Sequence, residues 1–420
     1  MSSNSKSTGK QSDYLILETE FNFRYRIVLS LINNKPIKIT KIRNDLNEHL
    51  NPGIASYEIK FLRLIEKFTN GTFIEISHTG TQIVFKPGII IGCKNLIFDT
   101  FIQSKDSTEC KSIGYYVEPL LVLLPFTKLR ENFITFKGIT SKSDTAVNLN
   151  STDESDFACD TLRFNYLPLM EKFGIMDISL TIFKRGSYPN GGGELQLHSK
   201  TPTAFTPNLQ ILDEIKFDKV MGIVYGNRIS PSIIQRIDKE LKRLLGSELK
   251  LPLDYQIMQD QWKGENSGKS PGYGVFLQIT NSKQKQWSKF AITSEVTIDE
   301  LNSKDQSFVI PEDLAKYATY KFLEEIDHAP IVNTSTLPFL ISLLYFNKVG
   351  NLSRLLISKK QITPYFIKFL RDINLIFNNK ILLKELSDFE STDDNDSNNK
   401  DNLLLVVKGS GVLNTNRKVT

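Results

Sequence analysis

The densest chemistry in the sequence lies in one tract, Lys184-Arg185-Gly186-Ser187-Tyr188-Pro189-Asn190-Gly191-Gly192-Gly193-Glu194. Consecutive glycines permit positive φ and let a ligand approach the backbone closely. The bare N–H groups of Gly191, Gly192 and Gly193 can form an anion-binding concavity, and Lys184 and Arg185 add charge beside it. The plain alternative is a hairpin loop that uses glycine only for its geometry. A second tract, Gly264–Ser270 (GENSGKS), has to be tested as a P-loop. That motif needs four residues between its glycines, yet Lys263 stands where the first glycine belongs, and no apolar strand precedes it. A flexible polar loop is the better reading.

Other catalytic signals are weak. His49, His78, His198 and His328 stand in no HxxxH or HExxH and near no cysteine, so no metal is expected. There is no GxSxG for a nucleophilic serine. Asp153, Asp156 and Asp160 are grouped, but in or beside a polar stretch that reads as solvated, which gives little support for metal-dependent cleavage.

The elements that would position these residues repeat. Phe21–Asn33 has the pattern of a helix, Pro36–Ile42 of a strand, Ile54–Phe68 of a helix, and 72–77 and 81–85 of two strands. The same order returns in 117–129, Glu131–Gly138, 161–173, 177–183 and 194–198. A third copy runs through helices at 313–326 and 338–346, a strand at 352–357, a helix at 364–373 and one or two strands in 375–384. Helix–strand–helix–strand–strand thus occurs three times, an α+β arrangement in which amphipathic helices cover apolar sheet faces.

Residues 205–294 break the pattern and read as a small inserted α/β domain, with strands at 219–225, 254–259 and 274–280 and an amphipathic helix at 232–245. The expected organisation is a polar, disordered tail at 1–12, a large repeat domain at 13–204 and 295–386, and the insert at 205–294. An acidic linker at 387–401 and a last strand with its tail at 402–420 complete it. The helix 232–245 presents Arg236, Lys239, Lys242 and Arg243 opposite its apolar face, a candidate surface for RNA or an acidic partner.

Composition fits an intracellular globular chain of 420 residues, with 40% hydrophobic and 24% charged residues and three scattered cysteines. The longest apolar runs are too short to span a bilayer. Lys plus Arg exceed Asp plus Glu by 5. Residues 387–401 hold six acids against one lysine, so the rest of the chain carries +10, which suits a polyanion partner.

The tract Lys184–Gly193 resembles the glycine-rich signature of RNA 3′-terminal phosphate cyclases. Arg24 before Lys35-Pro36, Ile42-Arg43 before Asn51-Pro52-Gly53, Leu121–Leu124 and Ser270-Pro271-Gly272 resemble other segments of that family, over roughly residues 14–385. The resemblance implies the cyclase fold, and a phosphate pocket faced by Arg24, Arg43, Lys184, Arg185 and the amides of Gly191–Gly193. The departures bear on activity. Where active cyclases carry a glycine-rich opening, this chain has Leu17-Glu18-Thr19-Glu20-Phe21. The family's adenylated histidine falls at or near Ser358, between Leu355 and Gln361, and 330–384 contains no histidine. A serine without a base is not activated to attack a phosphate.

This pattern resembles the eukaryotic cyclase-like branch, which implies a pseudoenzyme without cofactor. It implies a nucleolar protein, monomeric before assembly, that binds precursor ribosomal RNA in the U3 small nucleolar ribonucleoprotein, together with a ribosome-assembly GTPase. Lys359 and Lys360, beside the lost nucleophile, join the expected anion-binding set. The alternative is an endoribonuclease cutting precursor rRNA.

Overall fold

The computed structural model describes residues 14–44, 52–102, 110–142, 156–200, 208–249, 254–284, 288–304, 310–378, 381–385 and 401–412. The first twelve residues, most of the acidic linker and Asp153 lie outside these. The first repeat comprises β1 (Leu15–Glu18), α1 (Phe23–Asn33), β2 (Ile37–Thr40), α2 (Ser56–Phe68), β3 (Thr69–Asn70), β4 (Phe73–Ile76), β5 (Ile83–Lys86) and β6 (Ile89–Ile90). The second comprises β7 (Leu96–Asp99), α3 (Ile113–Leu123), β8 (Glu131–Gly138), α4 (Cys159–Thr161), α5 (Leu167–Lys172), β9 (Ile178–Lys184) and β10 (Gly193–Lys200). The third begins with β11 (Gln210–Ile211) and resumes at α9 (Leu337–Tyr345), β16 (Leu352–Ser358), α10 (Pro364–Phe377), β17 (Ile381–Glu385) and β18 (Asn402–Lys408).

Each repeat builds one four-stranded sheet with the same strand order: β1-β2-β5-β4, β7-β8-β10-β9 and β11-β16-β18-β17. In each, the first pair is parallel and the rest antiparallel. The repeat is therefore strand–helix–strand–helix–strand–strand; the leading strand is an addition to the expected pattern. β18 is the expected last strand, paired with both β16 and β17. Residues 375–377 end α10 instead of opening a strand.

The first helix of each repeat sits deepest. All eleven residues of α3 and all nine of α9 are buried, and α1 is buried from Phe23 to Leu31. A helix that is apolar on every side finds its partners only in the interior, and α3 touches both α1 and α9. The amphipathic α2 and α10 bury one face each.

The insert has its own core. β12 (Lys219–Asn227), α6 (Pro231–Glu248), β13 (Asp254–Trp262), β14 (Gly272–Thr280), β15 (Ala291–Thr297), α7 (Ile298–Lys304) and α8 (Pro311–His328) follow β11, and the sheet order is β13-β12-β14-β15. Leu314, Ala315, Ala318 and Phe322 of α8 pack with Ile234, Ile237 and Leu241 of α6 and with Val220 and Leu277 of the sheet. This moves the boundary expected at 205–294. The helix assigned to the third repeat at 313–326 closes the insert instead, and β11 belongs to the third repeat. The physical reason is pairing: α8 buries its apolar stripe on the sheet that contains β15.

Candidate functional site

The Lys184–Glu194 tract forms the loop between β9 and β10, and it is docked on the GENSGKS tract. The Gly268 amide donates to the Arg185 carbonyl (2.7 Å), the Lys269 amide to the Gly191 carbonyl (2.8 Å) and the Arg185 amide to the Asn266 carbonyl (3.1 Å). The Asn190 amide donates to Ser270 Oγ (3.1 Å). Asn227 Nδ2 reaches both Ser187 Oγ (3.4 Å) and the Ser270 carbonyl (2.8 Å). The glycines make this contact possible. A Cβ on Gly268 would lie 2.3 Å from the Gly191 carbonyl oxygen, and one on Gly186 would lie 2.3 Å from the Gly193 nitrogen. The amide of Gly191 already donates to the Ser187 carbonyl (2.9 Å), and Gly193 opens the β10 ladder opposite Gly138. The two glycine-rich tracts thus recognise each other across the boundary between large domain and insert.

Arg185 lies beneath this junction and is 1% exposed. Its guanidinium meets Asp160 at 2.8 Å, Asp260 at 3.1 Å and Ser141 Oγ at 2.9 Å, and lies 4.1 Å from the centre of the Tyr225 ring. Glu295 accepts from Tyr225 (2.9 Å) and from Thr161 (2.9 Å). Burial, and then the nearby Asp160 carboxylate, push the Glu295 carboxyl up to about 8. Near neutral pH it is held mostly protonated, which limits the negative charge facing Arg185 to Asp160 and Asp260. The solvated loop expected to hold Asp156 and Asp160 is replaced by burial. Asp160 pairs with Arg185 and Arg163, and Asp156 accepts from the Ser112 amide at the start of α3.

The other expected pocket cations are engaged as well. Arg24, 1% exposed, pairs with Glu118 (2.9 Å), donates to the Tyr115 carbonyl (2.6 Å) and lies 4.1 Å from the centre of the Tyr115 ring. Arg43 pairs with Glu58 and donates to the Gly53 carbonyl (2.8 Å). Tyr57 and Tyr115 stack edge-on at 5.4 Å, and Lys111 lies 5.1 Å from the first ring and 5.8 Å from the second. Arg24, Arg43 and Arg185, expected to gather around one open cleft, thus each have a carboxylate partner or more. The reason is energetic: the deeply buried guanidiniums of Arg24 and Arg185, and the half-buried one of Arg43, need a counter-charge at contact distance. Lys184 is half-buried and Lys269 exposed at the outer side of the loop junction, and Lys142 lies 5.4 Å from the Tyr188 ring centre.

Ser358 ends β16 and is nearly buried. Its Oγ accepts from the Lys360 amide (3.2 Å), and its own amide donates to Gln361 Oε1 (3.1 Å). These bonds cap the turn that leads into α10. Ser358 and Lys360 line a cavity of about 510 Å³ together with Asp327, His328, Glu214 and Asp401. Lys360 pairs with Asp327 at 2.6 Å, and Lys359 lies 3.9 Å from Glu385. Among the described residues no cluster of His, Cys, Asp or Glu is arranged to hold a metal ion.

The sequence profile of the RNA 3′-terminal phosphate cyclase family matches residues 19–383. The chain belongs to that family. It is 38% identical over 406 residues to the rRNA processing protein RCL1 of Saccharomyces cerevisiae, covering 97% of this chain and 98% of that one. It is 36% identical over 365 residues to a probable RNA 3′-terminal phosphate cyclase-like protein of Dictyostelium discoideum (85% and 89% covered). It is 33% identical over 357 residues to the RNA 3′-terminal phosphate cyclase-like protein of Homo sapiens (84% and 86%).

Within this family member, the basic face of α6 is more neutral than its sequence suggests. Arg236 forms a two-bond pair with Glu312 of α8 (2.7 and 2.6 Å), Arg243 a similar pair with Glu240, and Lys242 reaches Asp238 (2.9 Å). Glu312 lies 76 residues from Arg236 and only the packing of α8 on α6 brings them together. Lys239 is exposed on the same helix. The residues that sequence reasoning missed are the acids: Glu58, Glu118, Asp260 and Glu295. Of these, two left a signal: Glu295, a lone acid within the buried strand Ala291–Thr297, and Glu118, the lone charge within the buried helix Ile113–Leu123.

Proposed function

We propose that this chain is a non-catalytic cyclase-fold protein of precursor rRNA processing. It would act in the nucleolus, in the U3 small nucleolar ribonucleoprotein, during small-subunit assembly, and bind RNA and a ribosome-assembly GTPase. The role in rRNA processing is supported by relatives of that name that align along nearly the whole chain. The observation that carries the non-catalytic reading is Ser358. The resemblance sets the adenylated histidine at or near Ser358, and the hydroxyl of Ser358 caps the following turn. A capped serine without a hydrogen-bonded base is a poor nucleophile. RNA phosphates would meet the cations on the outside of the loop junction and beside Ser358, with Lys184, Lys359 and Lys360 positioning the backbone without reading bases. The buried guanidiniums hold the scaffold that presents them.

The test is incubation of the purified chain with α-labelled ATP and, in parallel, with precursor rRNA. The expected result is no covalent nucleotide and uncut but bound RNA. Histidine-linked AMP would overturn the reading, and specific cleavage of the RNA would favour an endoribonuclease.

A further inference from the structure

The sheet of the insert ends on β13, which among the described residues pairs only with β12. The nine residues run parallel to β12, from Lys219 opposite Asp254 to Asn227 opposite Trp262, without a bulge. In a strand, successive residues turn their backbone groups to opposite edges. The Asp254 amide donates to the Asp218 carbonyl (3.1 Å), and the Trp262 carbonyl accepts from the Arg228 amide (3.2 Å). The even-numbered residues therefore face β12. Tyr255, Ile257, Gln259 and Gln261 turn four N–H and four C=O groups to the open edge.

Sheet edges of this length are normally blunted by Lys, Pro, a bulge or a covering segment. β13 contains no Lys, Arg or Pro, and Tyr255 and Met258 are 36% and 41% exposed. The opposite edge strand, β15, is by contrast buried along its whole length.

We propose that β13 receives an extended segment of a partner protein as a fifth strand of the insert sheet. Alternating backbone donors and acceptors along a straight edge are matched by an extended peptide and by no helix or nucleic acid. Side chains of the incoming strand alternate between two environments. The side of the sheet to which Tyr255 and Gln259 point is covered by α6, because Tyr255 donates to the Leu249 carbonyl (3.2 Å) and Gln259 to Asp238 (2.8 Å). Lys242, bonded to that same Asp238, and Lys239 are exposed on this helix, so acidic residues suit that side. Met258 offers an apolar contact on the other side. A second copy docked edge to edge would bring its own α6, with the same two lysines, against the first; a single strand adds no such repulsion. The inference does not depend on the proposed role in rRNA processing.

The test uses the full chain and a displayed library of random twelve-residue peptides. Peptides that enrich should slow amide exchange at Tyr255, Ile257, Gln259 and Gln261. Gln259→Pro, which removes an outward N–H without breaking a ladder bond, should weaken them at least tenfold. Gln259→Ala keeps that amide and should bind like the original chain. Met258→Lys, on an exposed side chain, should weaken them too. The proposal is overturned if no sequence enriches, if protection falls elsewhere, if the proline variant binds equally while still folded, or if sedimentation shows that the edge is filled by a second copy.

Discussion

Arg185 is a charge that solvent does not reach, and its neighbours define what a change there does. Removing one member of a buried ion pair leaves the other uncompensated, at a cost of about 3–5 kcal/mol. Asp160→Ala strips this carboxylate from Arg185 and Arg163 but leaves Arg185 its pair with Asp260, so a loss of about 3 kcal/mol, the lower end of that range, is expected by urea unfolding. A loss under about 1 kcal/mol would mean that water enters the cluster. Glu295 gives a pH signature of its own. In the folded chain burial and Asp160 hold its carboxyl up to about 8, whereas the unfolded value is near 4.5. Between those values the unfolded chain binds fewer protons than the folded one, so this group makes stability fall as pH rises, and the effect levels off above the folded value. Glu295→Gln keeps one acceptor oxygen, for Tyr225, turns an amide donor toward the Thr161 hydroxyl, and cannot ionise. Its stability should vary less steeply with pH across that window, and an unchanged slope would contradict the assignment.

At the scale of elements, the junction of the two glycine loops depends on backbone proximity. A methyl group on Gly268 would meet backbone atoms at 2.3, 2.8 and 2.9 Å, whereas one on Gly264, which has φ +63°, would meet nothing within 4 Å. Gly268→Ala must push the loops apart, at about 1–3 kcal/mol by the cost of overpacking. Gly264→Ala is strained only by its left-handed backbone, at roughly 1 kcal/mol. Melting temperatures of the two variants rank these costs, and the reverse order would show that the loops are not in firm contact.

For the molecule as a whole, the insert is joined to the large domain by more than its chain connections. The Arg185 cluster, the loop junction, the Phe164–Phe276 ring contact (5.4 Å) and the bond from Gln278 to the Phe164 carbonyl (3.0 Å) all cross the boundary. Heat or urea should accordingly unfold both parts in one transition, with fluorescence and circular dichroism coincident. Asp260→Ala, which removes the insert's half of the ion pair with Arg185, should separate them into two. Two transitions in the unaltered chain would show that the buried charges do not couple the domains.

Much of this architecture is legible in residue order, because period and punctuation are local. Glu131–Gly138 and Asn402–Lys408 stand where their alternation or apolar run put them, and the stretches at 120–124 and 338–344, apolar except for Ser342, became central helices. The leading strands were not legible: β1 and β7 have four residues each and β11 has two, too few for a period to register. Nor was the ownership of α8, since an amphipathic helix shows that it has a partner but not which sheet that is. The glycine tract and the GENSGKS tract were each visible, but not that they dock on each other, as Asn190 does on Ser270 across 80 positions. Cations can be counted in a sequence, while Glu58, Glu118 and Asp260, which neutralise Arg43, Arg24 and Arg185, stand 15, 94 and 75 positions away from them. Charge pairing depends on distance in space, which only the tertiary structure decides.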